Sequence, residues 1–224
     1  MGWEAFLAKR ERQKLVVLGA GGFAEEVADL VSEIPEFELI GFIESLDRQR
    51  CRQPLLGLPV IWIDELARLD APFRCVCAVG SPKQRKSFTQ QVSSLGLEFT
   101  TVVHPTARIA PTASLGCGAI VSVGAIVSAH SKIGAHAILN RGCLIGHHVQ
   151  IGDCVTISPG ANIAGGSRIG ELAYIAMGAI ILEGISISSR AIVGAGAVVT
   201  RDVPSRVQVL GIPARIAKED IEGE

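Results

Sequence analysis

From residue 103 to residue 204, every sixth position of the chain begins a hexad with an aliphatic residue. A period of six matches neither the turn of an α-helix, about 3.6 residues, nor the two-residue alternation of an ordinary strand. It predicts a parallel β-helix, in which six residues form one side of a triangular prism and three sides complete a coil. The series is Val103, Ile109, Leu115, Val121, Val127, Ile133, Leu139, Ile145, Ile151, Ile157, Ile163, Ile169, Ile175, Ile181, Ile187, Val193 and Val199.

The residues between these aliphatic positions fit the same prediction. Four places after each one stands a small or β-branched residue, from Ala107 to Val203, which suits a corner of the prism. Glycine often follows the aliphatic residue directly, as at Gly116, Gly134 and Gly146, where the backbone must bend tightly. Successive coils are expected to stack about 4.8 Å apart through main-chain hydrogen bonds.

The first hundred residues have a different pattern, in which short apolar runs alternate with amphipathic segments. This order predicts a small, Rossmann-like α/β domain with a parallel sheet. Ser81 followed by Pro82 predicts the start of its second helix, and Gly96 predicts the end. Strands are predicted at 14–18, 39–43 and 74–79, and helices at 23–33 and from 82 to about 95.

The predicted fold class is therefore α/β followed by β, with the Rossmann-like domain preceding the β-helix. Only three or four strands fit before the hexads begin, so a full NAD-binding domain is not expected. Residues 1–13 are predicted to be an N-terminal extension, 14–102 the α/β domain, 103–204 the β-helix and 205–224 a C-terminal tail.

Composition excludes several functional classes. The formal net charge is −1 and there is no basic run, which argues against a nucleic-acid-binding surface. The N-terminus lacks a signal-peptide pattern, and no uninterrupted apolar stretch predicts a membrane span. The six cysteines contain no Cys-x-x-Cys pair, and most have apolar neighbours, as expected for reduced core thiols in a cytoplasmic protein.

A glycine turn follows the first predicted strand and opens the first helix. Gly19-x-Gly21-x-x-Ala24 partly matches the dinucleotide-binding fingerprint, and Glu44 ends the second strand 23 residues after Gly21. Any open α/β sheet needs such a turn, so a purely structural role is an open alternative. The helix N-terminus is nonetheless suited to an anion such as a nucleotide phosphate, with Glu44 placed to meet a ribose or base.

Several motifs together resemble one family, the NeuD/PglD-like sugar acetyltransferases. The resemblance covers about residues 14–216 and implies a left-handed β-helix, a homotrimer, and acetyl-CoA bound between adjacent β-helices. It also implies acetylation of an amino or hydroxyl group on a sugar, as part of glycan biosynthesis. The motifs are Gly19-Ala20-Gly21-Gly22, Gly41-Phe42-Ile43-Glu44, Ala78-Val79-Gly80, His104-Pro105-Thr106-Ala107, Gly146-His147, Pro159-Gly160-Ala161, Gly194-Ala195-Gly196-Ala197 and Gly211-Ile212-Pro213-Ala214-Arg215.

The resemblance also indicates which residues form the site. His147 is the expected general base, with Asn140 and His148 as further catalytic candidates. Acetyl-CoA is expected to contact Thr156, Gly165, Ala176, Met177, Ala195 and Arg215. The sugar or nucleotide-sugar is expected to contact Gly19, Gly21, Gly22, Phe23, Glu44 and Gly80.

Four features of the sequence depart from the family pattern. The glycine turn usually reads Gly-x-x-Gly-His-Gly, whereas Phe23 and Ala24 stand at its last two places. The catalytic histidine is usually flanked by acids, whereas His147 lies between Gly146 and His148. Thr156 replaces a second histidine that contacts acetyl-CoA in some members, and Ile212 replaces an asparagine near the C-terminus.

His147 carries the main chemical hypothesis. It stands two places after an inward-facing isoleucine, so its side chain should point out of the prism. An amine must lose a proton as it attacks a thioester, and imidazole accepts protons near neutral pH. A solvent-exposed histidine without function is the alternative for His147. Asn140 is expected to hold either the substrate or the histidine tautomer, and packing in a polar ladder without function is its alternative.

A metal site is a competing hypothesis, because γ-type carbonic anhydrases hold zinc with histidines on a similar β-helix. His130 and His148 differ by one coil of 18 residues, so their rings should stack about 5 Å apart. His136 would supply a third ligand, but its partner one coil away is Cys154. No metal is therefore expected.

The sequence and the resemblance thus predict an acetyl-CoA-dependent acetyltransferase. It is expected to transfer the acetyl group directly to a nucleotide-linked amino sugar. O-acetylation of a sialic-acid-like sugar is the first alternative. A trimeric β-helix scaffold without catalytic activity is the second, and a metal-dependent hydratase is the third. No nucleic-acid or membrane partner is expected.

Overall fold

The computed structural model describes residues 12–68, 72–221 and 223. Residues 1–11, most of the predicted N-terminal extension, lie outside the described residues. The described chain consists of an α/β domain followed by a left-handed parallel β-helix, as the sequence predicts. None of the helices in this part of the chain is long and apolar enough to cross a membrane.

The α/β domain is built on a four-stranded parallel sheet. The strands lie in the order β3-β2-β1-β4. After β3 the chain passes over β2 and β1 to reach β4, and this reversal of the strand order creates a switch point beside β1. The elements are β1 (Gln13–Leu18), α1 (Gly22–Ser32), β2 (Phe37–Glu44), β3 (Val60–Trp62), β4 (Arg74–Cys77) and α2 (Pro82–Ser94), with 3-10 turns at Arg48–Arg52 and Ile63–Arg68.

The helix ends follow their sequence signals. The Ser81 hydroxyl accepts a hydrogen bond from the Gln84 N–H at 3.3 Å, which caps α2 at its start. Gly96 has a φ of +78° just after the helix, the left-handed conformation that a glycine stop provides. The sequence pattern does not predict β3, because three residues are too few to show a periodicity.

The β-helix contains seventeen strands of two residues, one in each hexad. The aliphatic residue is the second residue of its strand and pairs with the residue 18 places further on, as Ile133 does with Ile151. This register confirms the predicted coil of three hexads. The strands, β5 to β21, are Val102–Val103, Arg108–Ile109, Ser114–Leu115, Ile120–Val121, Ile126–Val127, Lys132–Ile133, Ile138–Leu139, Leu144–Ile145, Gln150–Ile151, Thr156–Ile157, Asn162–Ile163, Arg168–Ile169, Tyr174–Ile175, Ile180–Ile181, Ser186–Ile187, Ile192–Val193 and Val198–Val199.

The aliphatic series fills the interior of the prism. Every member from Val121 onward is buried, while Val103, Ile109 and Leu115 are half-buried in the first coil. Burial of one such side chain contributes about 1.5–3 kcal/mol, so the repeated column is the main source of stability in this part of the chain.

The three sides of the prism differ in the first residue of each strand, which faces away from the core. On the polar face, formed by β7, β10, β13, β16 and β19, these residues are Ser114, Lys132, Gln150, Arg168 and Ser186. On the apolar face, formed by β6, β9, β12, β15, β18 and β21, they are Arg108, Ile126, Leu144, Asn162, Ile180 and Val198. On the covered face, Val102, Ile120 and Ile138 share one buried cluster with Val27 and Val31 of α1.

The chain ends in a hairpin that extends the covered face. β22 (Gln208–Gly211) pairs in parallel with β20 (Ile192–Val193), and β23 (Ala214–Lys218) returns antiparallel to β22. Residues expected to form a tail therefore continue the sheet.

A fully buried arginine joins the two domains. Arg85 projects from α2 and donates from Nε to the His136 carbonyl at 2.9 Å. One Nη2 proton goes to the Cys154 carbonyl at 2.7 Å and the other to the Thr156 hydroxyl at 2.9 Å. These three acceptors lie on neighbouring coils of the β-helix, so one side chain binds two coils to α2.

The remaining Arg85 protons go to the α/β domain. Nη1 donates to the carbonyls of Val79 at 2.6 Å and Gly80 at 3.0 Å, just after β4. All five donors of the guanidinium are thus used, and none of the acceptors is a carboxylate. Burial lowers the pKa of Arg85 to about 10, since its charge is removed from water.

All six cysteines are free, and four of them are buried. Burial raises the pKa of Cys75, Cys77 and Cys143 to about 12, so these thiols are neutral and unreactive near neutral pH. Cys117 is the exposed one.

We predict that Arg85→Leu lowers the free energy of unfolding by about 3 kcal/mol or more, because several buried carbonyls lose their donors at once. Urea unfolding followed by circular dichroism measures the change. Arg168→Leu, on the polar face, is the matched control and should change stability by less than about 0.5 kcal/mol. Equal effects of the two substitutions would contradict the assigned role of Arg85.

Candidate active site

The predicted catalytic histidine lies at the edge between the apolar and polar faces. This edge, called here the histidine corner, contains Ala129-His130, His147-His148 and Gly165-Gly166 on three successive coils. His147 is exposed, as its position in the hexad predicts. Its Nδ1 lies 3.2 Å from Nδ1 of His148, within hydrogen-bonding distance.

Gly165 forms the surface beneath the His147 ring. A methyl group at Gly165 would lie 2.5 Å from Cε1, 2.7 Å from Nε2 and 3.0 Å from Nδ1 of that ring. Real Cβ atoms do not approach other atoms so closely, so the absence of a side chain at Gly165 is what allows the ring to occupy this position. The two residues that the sequence assigns separately to base and cofactor therefore lie in contact.

The other histidines are placed as the 18-residue register requires. The rings of His130 and His148 have centroids 4.9 Å apart, in agreement with the predicted stacking. His136 lies at a different corner, where its ring packs on Phe99 with centroids 4.6 Å apart. Burial and the nearby charge of Arg85 lower the pKa of His136.

The described part of the chain contains no group of three or more His, Cys, Asp or Glu side chains that could hold a metal ion. The proposed third ligand, His136, is separated from the histidine corner by the polar face.

A second group of predicted residues lies on the opposite edge of the apolar face. This edge, called here the methionine corner, contains Val123-Gly124, Arg141-Gly142, Met177-Gly178 and Ala195-Gly196. Met177 and Ala195 are exposed, and Ala176 and Asn140 lie next to the corner, half-buried. Within one chain, the side chain that meets the His147 ring is therefore His148, while Asn140 lies across the face.

Two predicted cofactor residues have other surroundings. Thr156 is buried at the domain junction, where its hydroxyl accepts from Arg85 and donates to the Gly80 carbonyl at 2.9 Å. Arg215 is exposed on the C-terminal hairpin, and its guanidinium donates to the Ala214 carbonyl at 2.8 Å. Contact of either residue with acetyl-CoA stays a prediction.

The predicted substrate residues gather at the carboxyl end of the α/β sheet. Gly19, Gly21, Gly22 and Phe23 follow β1, and Gly80 follows β4, so these residues flank the switch point. Gly19 has a φ of +101° and packs closely on Ala78 at this point. Gly21 precedes α1 and gives the helix no side-chain cap, which leaves the first N–H groups without a side-chain acceptor.

Glu44 differs from the expectation that it faces a ligand. Its side chain is fully buried, and one carboxylate oxygen accepts from the N–H groups of Ser45 at 2.9 Å and Leu46 at 2.7 Å. The other accepts from Nη1 of Arg50 at 3.2 Å. Glu44 therefore holds the loop after β2 and one arginine.

Arg50 is a candidate that the sequence motifs do not reveal. A methyl group at Gly21 would lie 3.2 Å from its Nη1, so the guanidinium stands beside the glycine turn. Its side chain is 44% exposed, which leaves donors available to a ligand. The signal in the sequence is the three arginines within Arg48–Arg52, but only the folded loop brings Arg50 beside the turn.

A family model describing the PglD N-terminal domain matches residues 14–92. No curated protein sequence gives a significant match. The sequence match therefore falls on the α/β domain, whereas solved structures match both domains.

Three solved structures are similar over nearly the whole chain. A perosamine N-acetyltransferase from Caulobacter crescentus, a variant solved with CoA and GDP-perosamine, is 29% identical with a TM-score of 0.84, and the alignment covers 92% of this chain and 97% of that one. The acetyltransferase domain of PglB from Neisseria gonorrhoeae, solved with acetyl coenzyme A, is 32% identical with a TM-score of 0.83 and coverages of 92% and 100%. WeeI from Acinetobacter baumannii is 30% identical with a TM-score of 0.83 and coverages of 91% and 99%.

We predict that Gly165→Ala displaces the His147 ring and lowers any turnover that uses this ring by about 10²-fold, since small misplacements of a reacting group have effects of this size. Steady-state kinetics measures the loss, and thermal unfolding checks that the fold is kept. The control is the double variant with His147→Ala, which should be no slower than His147→Ala alone. A further loss in the double variant would show that Gly165 acts independently of the ring.

Proposed function

Because the chain belongs to the NeuD/PglD-like family of sugar acetyltransferases, we propose that it transfers the acetyl group of acetyl-CoA to the amino group of a nucleotide-linked amino sugar. The main support for this proposal is that one chain has both features of such a site. The glycine turn before α1 has no side-chain cap, and the exposed ring of His147 lies against Gly165. The similar perosamine enzyme was solved with a nucleotide-linked amino sugar and CoA.

The α/β domain would hold the nucleotide. The free N–H groups at the start of α1 and the guanidinium of Arg50 converge on the turn at Gly21, and both favour an anion. Phe23 stands where the family usually has histidine, so Arg50 would supply the positive charge in this chain. Glu44, which binds Arg50, would orient that charge rather than contact the ribose.

His147 would act as the general base. The attacking nitrogen must lose a proton, and an exposed imidazole accepts one at Nε2 if its Nδ1 is protonated. Acetyl-CoA supplies the activated acetyl thioester, and the small residues Gly165, Ala176 and Ala195 leave space for its pantetheine arm. Direct transfer, rather than transfer through a cysteine nucleophile, is consistent with the neutral state of the buried thiols Cys75, Cys77 and Cys143.

The active site would lie between chains of a homotrimer. Ile126, Leu144 and Ile180 are each about two-fifths exposed and form an apolar column on a face that none of the described residues covers. Exposed apolar columns of this kind are typical of protein interfaces. The face is bordered by the histidine corner on one side and the methionine corner on the other. Packing of copies on this face would bring His147 of one chain toward Met177 and Ala195 of another.

The cytoplasm is the proposed location, since all six cysteines are free and reducing compartments keep thiols in this state.

We predict that Leu144→Glu dissociates the trimer, because it places a charge in the apolar column. Sedimentation equilibrium should give three times the chain mass of 23.6 kDa for the unmodified protein and a single chain mass for the variant. Gln150→Glu, at the equivalent outward position of the polar face, is the matched control and should stay trimeric. An unmodified protein that sediments as a monomer would contradict an intersubunit site.

We predict release of CoA thiol when the protein is given acetyl-CoA and a nucleotide-linked amino sugar. A panel of nucleotide-linked 4-amino sugars and free sialic acids identifies the acceptor. With the active acceptor, His147→Ala should lower kcat at least ~10²-fold while acetyl-CoA binding is kept, since a positioned base contributes roughly 10²–10⁴-fold.

Each outcome of this panel has a separate meaning. Release only with a sialic acid would move the reaction to a hydroxyl group. Binding of acetyl-CoA without release on any acceptor would favour the scaffold alternative. Full activity of His147→Ala would remove this histidine from the mechanism. Because exposed Cys117 would react with thiol reagents, Cys117→Ser protein lowers the background.

A further inference from the structure

Three imidazole rings follow one another at the histidine corner. His147 meets His148 through their Nδ1 atoms, 3.2 Å apart, with the rings nearly perpendicular at 82°. The His130 ring packs against His148 with centroids 4.9 Å apart. His148 and His130 have φ values of 57° and 60°, so they leave the backbone at equivalent left-handed positions of successive coils. The side chains of His148 and His130 therefore start from equivalent backbone positions.

A hydrogen bond between two Nδ1 atoms needs a proton on one of them and a lone pair on the other. If neutral His148 donates, then neutral His147 carries its own proton on Nε2 and cannot accept another there. If His147 donates, its Nε2 has a free lone pair. A general base at His147 Nε2 thus requires His148 to be the acceptor.

We propose that His148 is the hydrogen-bond acceptor that holds His147 in the tautomer able to take a proton, and that protonation of His148 switches this pair off. The inference rests on the general-base role proposed above for His147. His148 is a positioning residue, because it acts on the substrate only through His147. It takes the orienting role for which the chain has no flanking carboxylate.

The balance of protons agrees with this role. The proton lost by the attacking nitrogen moves to His147 Nε2 as the new C–N bond forms, while His147 Nδ1–H stays hydrogen-bonded to His148. The same proton then passes from Nε2 to the sulfur of the departing CoA as the C–S bond breaks. The histidine pair ends in the state in which it began, and no further reactant is needed.

An imidazole acceptor differs from a carboxylate in one respect. A carboxylate accepts at any pH near neutrality, whereas a protonated imidazole is only a donor. Protonated His148 would donate its Nδ1–H to His147 and fix the proton of neutral His147 on Nε2, so the base would be lost. Protonation of either ring thus abolishes activity, and the acidic side of the pH–rate profile should approach a slope of two.

The charged and titratable groups around His148 are few. His147 and His130 face it directly. Lys132 and Arg168 lie on the adjoining polar face, Glu183 lies at the same corner two coils further on, and no charged outward residue of the apolar face lies on these coils. Of these groups, the His130 ring lies nearest in the neighbouring coil, with its centroid 4.9 Å from that of His148.

Two substitutions of His148 test the proposal. His148→Gly keeps a residue that accepts a left-handed φ but removes the acceptor. His148→Asn also tolerates this φ, and its Oδ1 occupies the place of the imidazole Nδ1 as an acceptor that does not titrate. Arg190→Gly, with a φ of 61° at another corner, is the matched backbone control.

We expect kcat to fall about 10²-fold in His148→Gly and to stay within about fivefold of the unmodified enzyme in His148→Asn and Arg190→Gly. The acidic slope of log kcat/KM should be one unit lower in His148→Asn than in the unmodified protein, because the ammonium form of the free acceptor contributes equally in both. Nitrogen-15 spectra of the imidazole rings should show the proton of neutral His147 on Nδ1 in the unmodified protein and on Nε2 in His148→Gly.

Three results would overturn the proposal. The first is wild-type kcat and an unchanged His147 tautomer in His148→Gly. The second is equal loss in His148→Gly and His148→Asn, which would assign His148 to structure alone. The third is an acidic slope that does not change in His148→Asn. His147→Ala distinguishes failure of this proposal from failure of the proposed function. Full activity of His147→Ala would show that His147 is not the general base.

Discussion

Main-chain hydrogen bonding between coils is the constraint on which the rest of this structure depends. Each hexad pairs with the one 18 residues away, so every side chain has its neighbour at the same position of the next coil. The interior then accepts only one large aliphatic residue per hexad. The outward positions become columns and corners that run the length of the prism. Outward side chains that contact each other therefore lie 18 residues apart in the sequence, as His130 and His148 do.

This regular body becomes specific because its three faces differ. One face is covered by the α/β domain, where Arg85 satisfies acceptors on both sides of the junction. A second face is polar, and the third exposes an apolar column. The two corners that border the apolar face carry the residues assigned to the base and to acetyl-CoA. A single chain holds His147 apart from Met177 and Ala195, which is why an assembly in which this face is buried is central to the proposed function.

The acids that usually flank the catalytic histidine are absent beside His147, and other residues contact its ring instead. A carboxylate would orient the ring through its charge, whereas here Nδ1 of His148 lies 3.2 Å from Nδ1 of His147. Gly165 limits the ring from the other side. In the α/β domain, Arg50 stands beside the turn that lacks the usual histidine, and buried Glu44 holds it. At both sites a residue of the family pattern is missing and another residue lies nearby. His148 lies beside His147 where the acids are absent, and Arg50 lies beside the turn where the histidine is absent.

The sequence by itself determined the β-helix, the inward aliphatic residue of each hexad, the caps of α2, the outward position of His147 and the stacking of His130 on His148. All of these follow from local propensity or from a fixed period, which a linear chain displays directly. Only the tertiary structure decided that Arg85 is buried against a carbonyl 51 residues away, that Thr156 serves the domain junction, and that Glu44 faces Arg50. The sequence pattern also does not predict the short strand β3. These features depend on packing between segments with no common period, because burial and hydrogen bonding there are set by whichever distant groups the fold brings together.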